Sequence, residues 1–368
     1  MEASYKRASR DAVAARPLNP IGNTGEGKRN EFRKTALGAT LMRVLVHFAR
    51  LCLIVLPVLA PWLSAQAQTW PAKPVRLIVP YSPGGAFDVL GRHLAEKLSQ
   101  QWSQPVIVEN RPGSATIAAA ELVARSPADG HTILLTISGT VSINPHLFAK
   151  LPYDAEKDLV PVTMLANMPQ VLTAPPSLKA NTLAELVALA RSQAGTINYG
   201  SPGIGSQGHL AMEMLKAKAG INLLHVPYKG GPQAVLAAVA GDVQLVIATI
   251  PSAQTQIKAG RLKAIAIDGA QRSQRMPDVP TFTEQGYSDV TAYVAIGLFV
   301  PAGTPREVVM RINRDAARIV SEPEFRDRQI IANGYELVAN SPEEFAAYLR
   351  KESEIYAKAI KISGAKIE

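Results

Sequence analysis

Three glycine-rich segments carry the residues best suited to holding a ligand. They are Pro80-Tyr-Ser-Pro-Gly-Gly-Ala-Phe-Asp88, Tyr199-Gly-Ser-Pro-Gly-Ile-Gly-Ser-Gln-Gly208 and Pro227-Tyr-Lys-Gly-Gly-Pro232. Each follows a strand-like run and leads into a helix-like one. Glycine admits positive φ and lets the backbone come close to a bound molecule. The helix that follows offers unpaired N–H groups and about half a positive charge at its first turn. Such a junction seats an anion without any lysine or arginine. One such junction alone is compatible with an ordinary αβ turn. Three in one chain, rich in Ser and Thr, point to a polar cleft at the carboxyl ends of the strands.

Other chemistries fail on spacing. Gly203-Ile-Gly205-Ser-Gln-Gly208 matches GxGxxG, but Met214 to Gly241 holds no Asp or Glu to bind a ribose, so a dinucleotide is not expected. No GxSxG elbow surrounds Ser82, Ser138, Ser201 or Ser206. His93, His131, His146, His209 and His225 form no HExxH and no tight ligand spacing. No catalytic residue, metal or cofactor is therefore expected. His209, near the second loop, could donate to a ligand or be structural. Asp88, at a helix start, could be a functional acid or a cap or first-turn acid.

The elements that must position these loops alternate between strand and helix, an α/β pattern with mainly parallel sheets. Strands are expected at Val75–Val79, Val106–Glu109, Thr132–Ile137, Val160–Leu165, Gln170–Thr173, Thr196–Tyr199, Leu223–Val226, Val243–Ala248 and Lys263–Ile267. Helices are expected over Asp88–Trp102 and Ala115–Arg125. Capping boxes stand at Thr182–Glu185, Thr304–Glu307 and Ser341–Glu344, and the last helix should end near Gly364.

The amino-terminal part reads as a targeting segment. Leu51–Leu63 is an apolar run with Arg43 and Arg50 upstream and Ala65-Gln66-Ala67 behind it, a signal-peptide pattern. It is too short for a membrane span, which takes about 20 apolar residues. Residues 1–41 read as a disordered leader or as the result of a true start at Met42, giving a signal peptide of 42–67. Of the 39 Lys/Arg and 30 Asp/Glu, ten and four lie in residues 1–67, so the remainder carries 29 and 26, a net of +3. The overall +9 is thus concentrated in the leader, and nucleic acid is not an expected partner. The single cysteine, Cys52, lies in the signal, so the mature chain must rely on its hydrophobic core.

Seven ordered motifs then carry a resemblance: Val79–Asp88, Val108-Glu-Asn-Arg-Pro-Gly113, Ser126-Pro-Ala-Asp-Gly130, Ile143-Asn-Pro145, Leu151-Pro-Tyr-Asp154, His225-Val-Pro-Tyr-Lys-Gly230 and Pro301-Ala-Gly-Thr-Pro305. From about Trp70 to the carboxyl end the chain resembles the extracytoplasmic solute receptors of tripartite tricarboxylate transporters, the Bordetella uptake gene family. The resemblance implies a two-lobed type II periplasmic-binding-protein fold, a "Venus flytrap" with its ligand cleft between the lobes. It implies 68–170 and 292–368 as one lobe and 171–291 as the other, with crossings near Gln170 and Ala292. It also implies a monomeric periplasmic protein that captures a small organic carboxylate, a di- or tricarboxylate or an aromatic acid, for membrane permease subunits. Presentation of the ligand to a sensor kinase is an alternative. A secreted α/β hydrolase acting on carboxylate esters is a second, and a cytoplasmic transcription-factor effector domain is disfavoured by the signal segment.

Carried over residue by residue, the family's ligand loops fall on Tyr81, Gly84, Gly85, Ala86, Phe87 and Asp88, on Ser138 and Thr140, and on Ser201, Gly205, Ser206 and Gln207. Thr249 follows in the segment after Val246. The amides of Ala86 and Phe87 would hold one carboxylate, and Ser201, Gly205 and Ser206 would face its other end. Three departures bear on the ligand. Phe87 stands where members commonly have Thr, Ser114-Ala115-Thr116 replaces further glycine, and Ala248 replaces an acid that could pair with a ligand ammonium. The last favours a plain or aromatic carboxylate over an amino acid.

Overall fold

A computed structural model of the chain describes Met42, Leu45, Val46, residues 70–269 and residues 271–367. The expected leader and signal peptide therefore lie outside the described residues, apart from those three positions. The chain divides into Met1–Gln68 and Thr69–Glu368, and both sheets of the fold belong to the second unit. Among the described residues no helix is long and apolar enough to cross a membrane.

The first sheet begins with β1 (Val75–Val79), helix α1 (Ala86–Trp102), β2 (Val106–Asn110), α2 (Ile117–Ala124), β3 (Thr132–Ile137), a short helix α3 (Gly139–Ser142) and β4 (Leu159–Met168). After Pro169 the chain enters a second sheet. This contains β5 (Gln170–Ala174), α4 (Leu183–Ser192), β6 (Asn198–Ser201), α5 (Gln207–Ala219), β7 (Leu224–Pro227), α6 (Gly231–Ala240), β8 (Leu245–Thr249), α7 (Ile250–Lys258) and β9 (Lys263–Ile267). It then returns to the first sheet through β10 (Val294–Pro301), α8 (Arg306–Ser321), β11 (Glu336–Leu337) and α9 (Pro342–Ser363). The strand orders are β11-β4-β10-β3-β1-β2 and β7-β6-β8-β5-β9.

Each sheet is covered on both faces by helices, which explains why its strands are almost continuously apolar. Leu90 and Leu94 of α1 with Val308 and Ile312 of α8 close one face of the first sheet. Ala119 and Val123 of α2 with Phe345 of α9 close the other. In the second sheet Leu183, Leu186, Met212 and Leu215 cover one face, and Ala234, Val235, Ile250 and Ala253 the other. A smaller apolar cluster joins Ile143 and Leu147 beside the first sheet to Leu210 of α5 and to Tyr356 and Ile360 of α9. It joins residues of the two lobes.

The sheets are mixed rather than mainly parallel. β1 pairs in parallel with β2 and β3, and β6 with β7 and β8. However, β10 runs antiparallel to both β3 and β4, and β5 antiparallel to β8 and β9. These are the strands by which the chain enters and leaves a lobe, so no crossover helix sets their direction. Local chemistry also departs from expectation at two helix starts. Thr304 does not cap α8: its hydroxyl donates to the Pro301 carbonyl at 2.7 Å, and Pro305 takes the cap position. Helix α2 starts only at Ile117, because Ala115 and Thr116 adopt positive φ in a tight turn before it. Ser341 forms the full capping box with Glu344, and Gly364 ends α9 in the left-handed conformation.

Packing at β10 leaves room for hydrogen only. A Cβ on Gly297 would stand 2.4 Å from Phe345 Cζ and 3.1 Å from the Thr163 carbonyl oxygen. Gly297→Ala is expected to destabilise the fold by about 1–3 kcal/mol through overpacking, measurable as a lower denaturant midpoint with unchanged slope.

Candidate functional site

A cleft of about 530 Å³ opens between the two sheets' loop ends. The starts of four helices reach it: Phe87 of α1, Gln207 of α5, Gly231 of α6, and Thr249 at the cap of α7 all line its walls. Among the described residues lining it there is no Asp, Glu, Lys or Arg. Its electrostatic character therefore comes from backbone N–H groups at helix starts, which favour an anion.

In the first loop, Tyr81 and Phe87 stack at 4.1 Å and form an aromatic wall. The Tyr81 hydroxyl is buried beside Thr136 without a hydrogen bond of good geometry, and burial pushes its pKa up. Gly84, Gly85, Ala86 and Asp88 are not among the lining residues. The reason is the buried Asp88 carboxylate, which accepts from the Gly84 amide at 2.8 Å, Arg92 at 2.9 Å and Asn110 at 2.8 Å. The Arg92 hydrogen bond leads the causes that hold its pKa down at about 2. Asp88 is thus a first-turn acid that pins the loop from behind. It leaves the Ala86 and Phe87 amides at the first two helical positions, which have no intrahelical acceptor.

Thr140 lines the cleft, its hydroxyl held between those of Thr116 (2.7 Å) and Thr136 (2.8 Å). Ser138 is fully buried behind it. Its hydroxyl donates to Glu352 at 3.0 Å, and its amide donates to the Ala295 carbonyl.

In the second loop, Gly205, Ser206 and Gln207 line the cleft and Ser201 does not. The Ser201 hydroxyl is engaged with His225 Nε2 at 2.7 Å and accepts the Gly203 amide at 3.2 Å. Ser206 caps α5, accepting from the His209 amide and donating to the Gly203 carbonyl. His209 is buried, and its Nδ1 accepts the Gly205 amide at 3.1 Å, so it shapes the loop rather than facing a ligand. Its ring stacks on His225 at 4.0 Å. Burial lowers both imidazole pKa values, that of His225 to about 3, so both rings are neutral at physiological pH. Thr249 lines the cleft and shares a hydrogen bond with Ser252 at 2.9 Å.

Gln207 crosses the gap. A Cβ on Gly139, in the opposite lobe, would lie 3.1 Å from Gln207 Nε2, and that buried amide nitrogen has no partner. Gln170, which the sequence placed at a crossing but not in the site, lines the cleft as well. The signal was present: Gln170 is the one strongly polar side chain in the strand Gln-Val-Leu-Thr-Ala, at the point where the chain changes sheets. Among the described residues no group of three or more His, Cys, Asp or Glu is arranged to hold a metal ion.

Two lobes closing on an uncharged, amide-lined cleft define a ligand-binding receptor of the periplasmic-binding type. The comparisons with known proteins place it further. Residues 90–364 match the family described as "Tripartite tricarboxylate transporter family receptor", and the chain belongs to that family. It is 40% identical to a UPF0065 protein of Bordetella pertussis over 70% of this chain and 79% of that one. Among solved structures, an R. palustris protein with adipate superposes with a TM-score of 0.71 at 30% identity, over 81% of this chain and all of that one. MatC from Rhodopseudomonas palustris, with bound malate, superposes at 0.67 and 28% identity, over 79% of this chain and all of that one. The family consists of substrate-binding receptors rather than enzymes.

Proposed function

We propose that this protein captures a small organic carboxylate, a di- or tricarboxylate or an aromatic acid, between its lobes in the periplasm and delivers it as a monomer to permease subunits in the membrane. The observation that carries the reading is the convergence of four helix starts on a cleft with no charged side chain among its described lining residues. Adipate and malate in the two related structures fit the same chemistry. A zwitterionic amino acid would bring an ammonium to a cleft with no carboxylate to meet it, which favours a plain acid.

In this reading residues 68–170 and 292–368 form one lobe and 171–291 the other. The lobes pivot at the two crossings, and ligand favours the closed state because only there do both lobes touch it. The Ala86 and Phe87 amides and the Gly205–Gln207 loop hold opposite ends of the acid. Export through a signal peptide at 42–67 puts the receptor where it acts, and mass spectrometry of the mature amino terminus tests that step.

The binding test is a titration calorimetry panel of dicarboxylates, tricarboxylates, aromatic acids and amino acids. At least one acid is expected to bind with one site per chain, to be recovered unchanged, and to raise stability by about 2.7 kcal/mol at a hundred times its Kd. A flat response to the whole panel overturns the reading. Gln207→Leu is expected to weaken whichever acid binds by about ten-fold, the loss of one hydrogen bond to a charged group.

A further inference from the structure

The two walls of the cleft differ in what they offer a ligand. On the side of the second sheet, helix starts line it at Gln207, Gly231 and Thr249, and the part-exposed hydroxyl residues Ser206, Thr249 and Ser252 stand among them. On the side of the first sheet the nearby hydroxyls are engaged elsewhere. Thr140 is held between Thr116 and Thr136, and Ser138 turns to Glu352. What that wall presents instead is the Tyr81–Phe87 pair, stacked within 15° of parallel, both residues part-exposed. The Tyr81 hydroxyl is sealed away from the cleft, so a ligand side-on to this pair meets ring carbon rather than a phenol. Ile137, packed on the same apolar cluster, is also part-exposed and lines the cleft. The opposite wall adds Ile204, left 49% exposed between Gly203 and Gly205 in the loop before α5.

A single exposed apolar side chain needs no explanation. Here accessible apolar residues line one cleft from both sides, and they limit the kind of ligand body that fits. A hydroxylated chain laid against ring carbon gives up its water for no hydrogen bond, which costs free energy. A saturated chain gains from burial alone. A flat aromatic ring gains the same burial and adds offset-stacked or edge-to-face contact with the Tyr81–Phe87 pair. The cleft, at about 530 Å³, has the size of pockets that hold ring-bearing ligands. We infer that the cleft selects aromatic acids, with the ring between Phe87 on one wall and Ile204 on the other and a carboxylate at the helix starts. The inference rests on the reading of the cleft as an organic-acid site and narrows it. Phe87 and Ile204 become specificity residues, and aliphatic hydroxy acids become the poor ligands.

The test uses pairs of acids that match in carboxylate count and ring size and differ only in aromaticity, titrated into the full mature protein by calorimetry. The pairs are benzoate and cyclohexanecarboxylate, phenylacetate and cyclohexylacetate, and terephthalate and its saturated-ring counterpart. The aromatic member of the best-binding pair is expected to bind about five-fold or more tightly. Its ring protons should also shift in the NMR spectrum of the complex, through the ring current of Phe87. In Phe87→Leu, which keeps an apolar side chain on the wall, the ratio of the two dissociation constants should collapse toward one and the ring-current shift should shrink. A purely structural role for Phe87 would move neither. Ile204→Ser, at a half-exposed position, should weaken the aromatic member by about three-fold or more. Saturated acids that bind as tightly as their aromatic partners overturn the inference while leaving the carboxylate reading intact. So does a Phe87→Leu variant that binds and keeps the wild-type ratio, or malate or citrate binding more tightly than every aromatic acid. Should Phe87→Leu fail to fold, unchanged aromatic affinity in Ile204→Ser overturns it by itself. If no acid of any kind binds, both readings fall together.

Discussion

Gly205→Ala is expected to weaken acid binding by at least ten-fold by holding the lobes apart. A Cβ at this position would stand 2.1 Å from Leu147 Cδ2 and 3.1 Å from its Cγ, on the other side of the cleft. Leu147 cannot swing away freely, because it is buried in the cluster with Ile143, Leu210 and Tyr356 that joins the lobes. The backbone adds a second penalty: Gly205 has φ +74, where any residue with a Cβ is strained by about 1–2 kcal/mol. Binding free energy comes from the closed state, so a substitution that destabilises closure lowers apparent affinity by the fraction of closed-competent protein lost. X-ray scattering of the variant with saturating acid should show a larger radius of gyration than wild type. Leu147→Ala in the same chain should return part of the affinity, with a coupling of at least about 0.5 kcal/mol in the double-mutant cycle. If the double variant binds no better than Gly205→Ala alone, the tight contact is not what limits closure.

Gly205 also illustrates how much a bare sequence can say. Glycines in a strand-to-helix loop announce close approach, and the three loops chosen on that ground all contribute to the cleft wall. What the sequence could not supply was the direction of side chains whose partners are far away along the chain. Ser138 bonds to Glu352 and Ser201 to His225, so both hydroxyls turn away from the cleft. Asp88 is wrapped by Gly84, Arg92 and Asn110 and serves as a clasp. Periodicity located β5 but gave no reason to regard its first residue as anything but a link. Gln170 became visible only when the Ala292 carbonyl was seen to fix its amide. The mixed sheets have the same origin. Strand–helix alternation predicts parallel neighbours, and it carries no information about the strands by which a chain leaves one lobe and returns.

Folding stability is expected to fall by about 2 kcal/mol between pH 6.5 and pH 8, and the slope should vanish in Asp268→Asn. Two carboxyls are buried on the face of the crossing that looks into a separate cavity of about 1020 Å³, Asp268 after β9 and Glu352 on α9. Burial pushes Asp268 up to about 8, helped by the nearby Glu336 and Glu352 and opposed by the Ala292 amide. Burial likewise pushes Glu352 up to about 7 against hydrogen bonds from Ser142, Ser138 and Tyr348. A carboxyl whose pKa is raised on folding binds its proton more tightly in the native state. Its contribution is complete below the unfolded value near 4 and is lost as pH rises through the folded one. The histidines work in the opposite sense. His209 and His225 are neutral in the fold, so between the lowered pKa of about 3 for His225 and the unfolded value near 6.5 stability rises with pH. From about pH 5 to 6.5 His225 offsets one of the two carboxyls, and His209 acts in the same sense. Above 6.5 the unfolded histidines, half protonated at that pH, finish titrating within about one further unit. Glu352 is half ionised at about 7 and finishes its loss toward pH 8, a remainder that the histidines' last gain roughly offsets, so Asp268 carries the net decline of about 1.4 kcal/mol per pH unit to about 8. Asn at 268 keeps an oxygen for the Ala292 amide and has no proton to lose, so it isolates the charge from the hydrogen bond. Thermal unfolding of wild type and variant across this range decides between the two. A wild-type curve that is flat or rising above pH 6.5 would mean that Asp268 ionises in the fold as easily as in water.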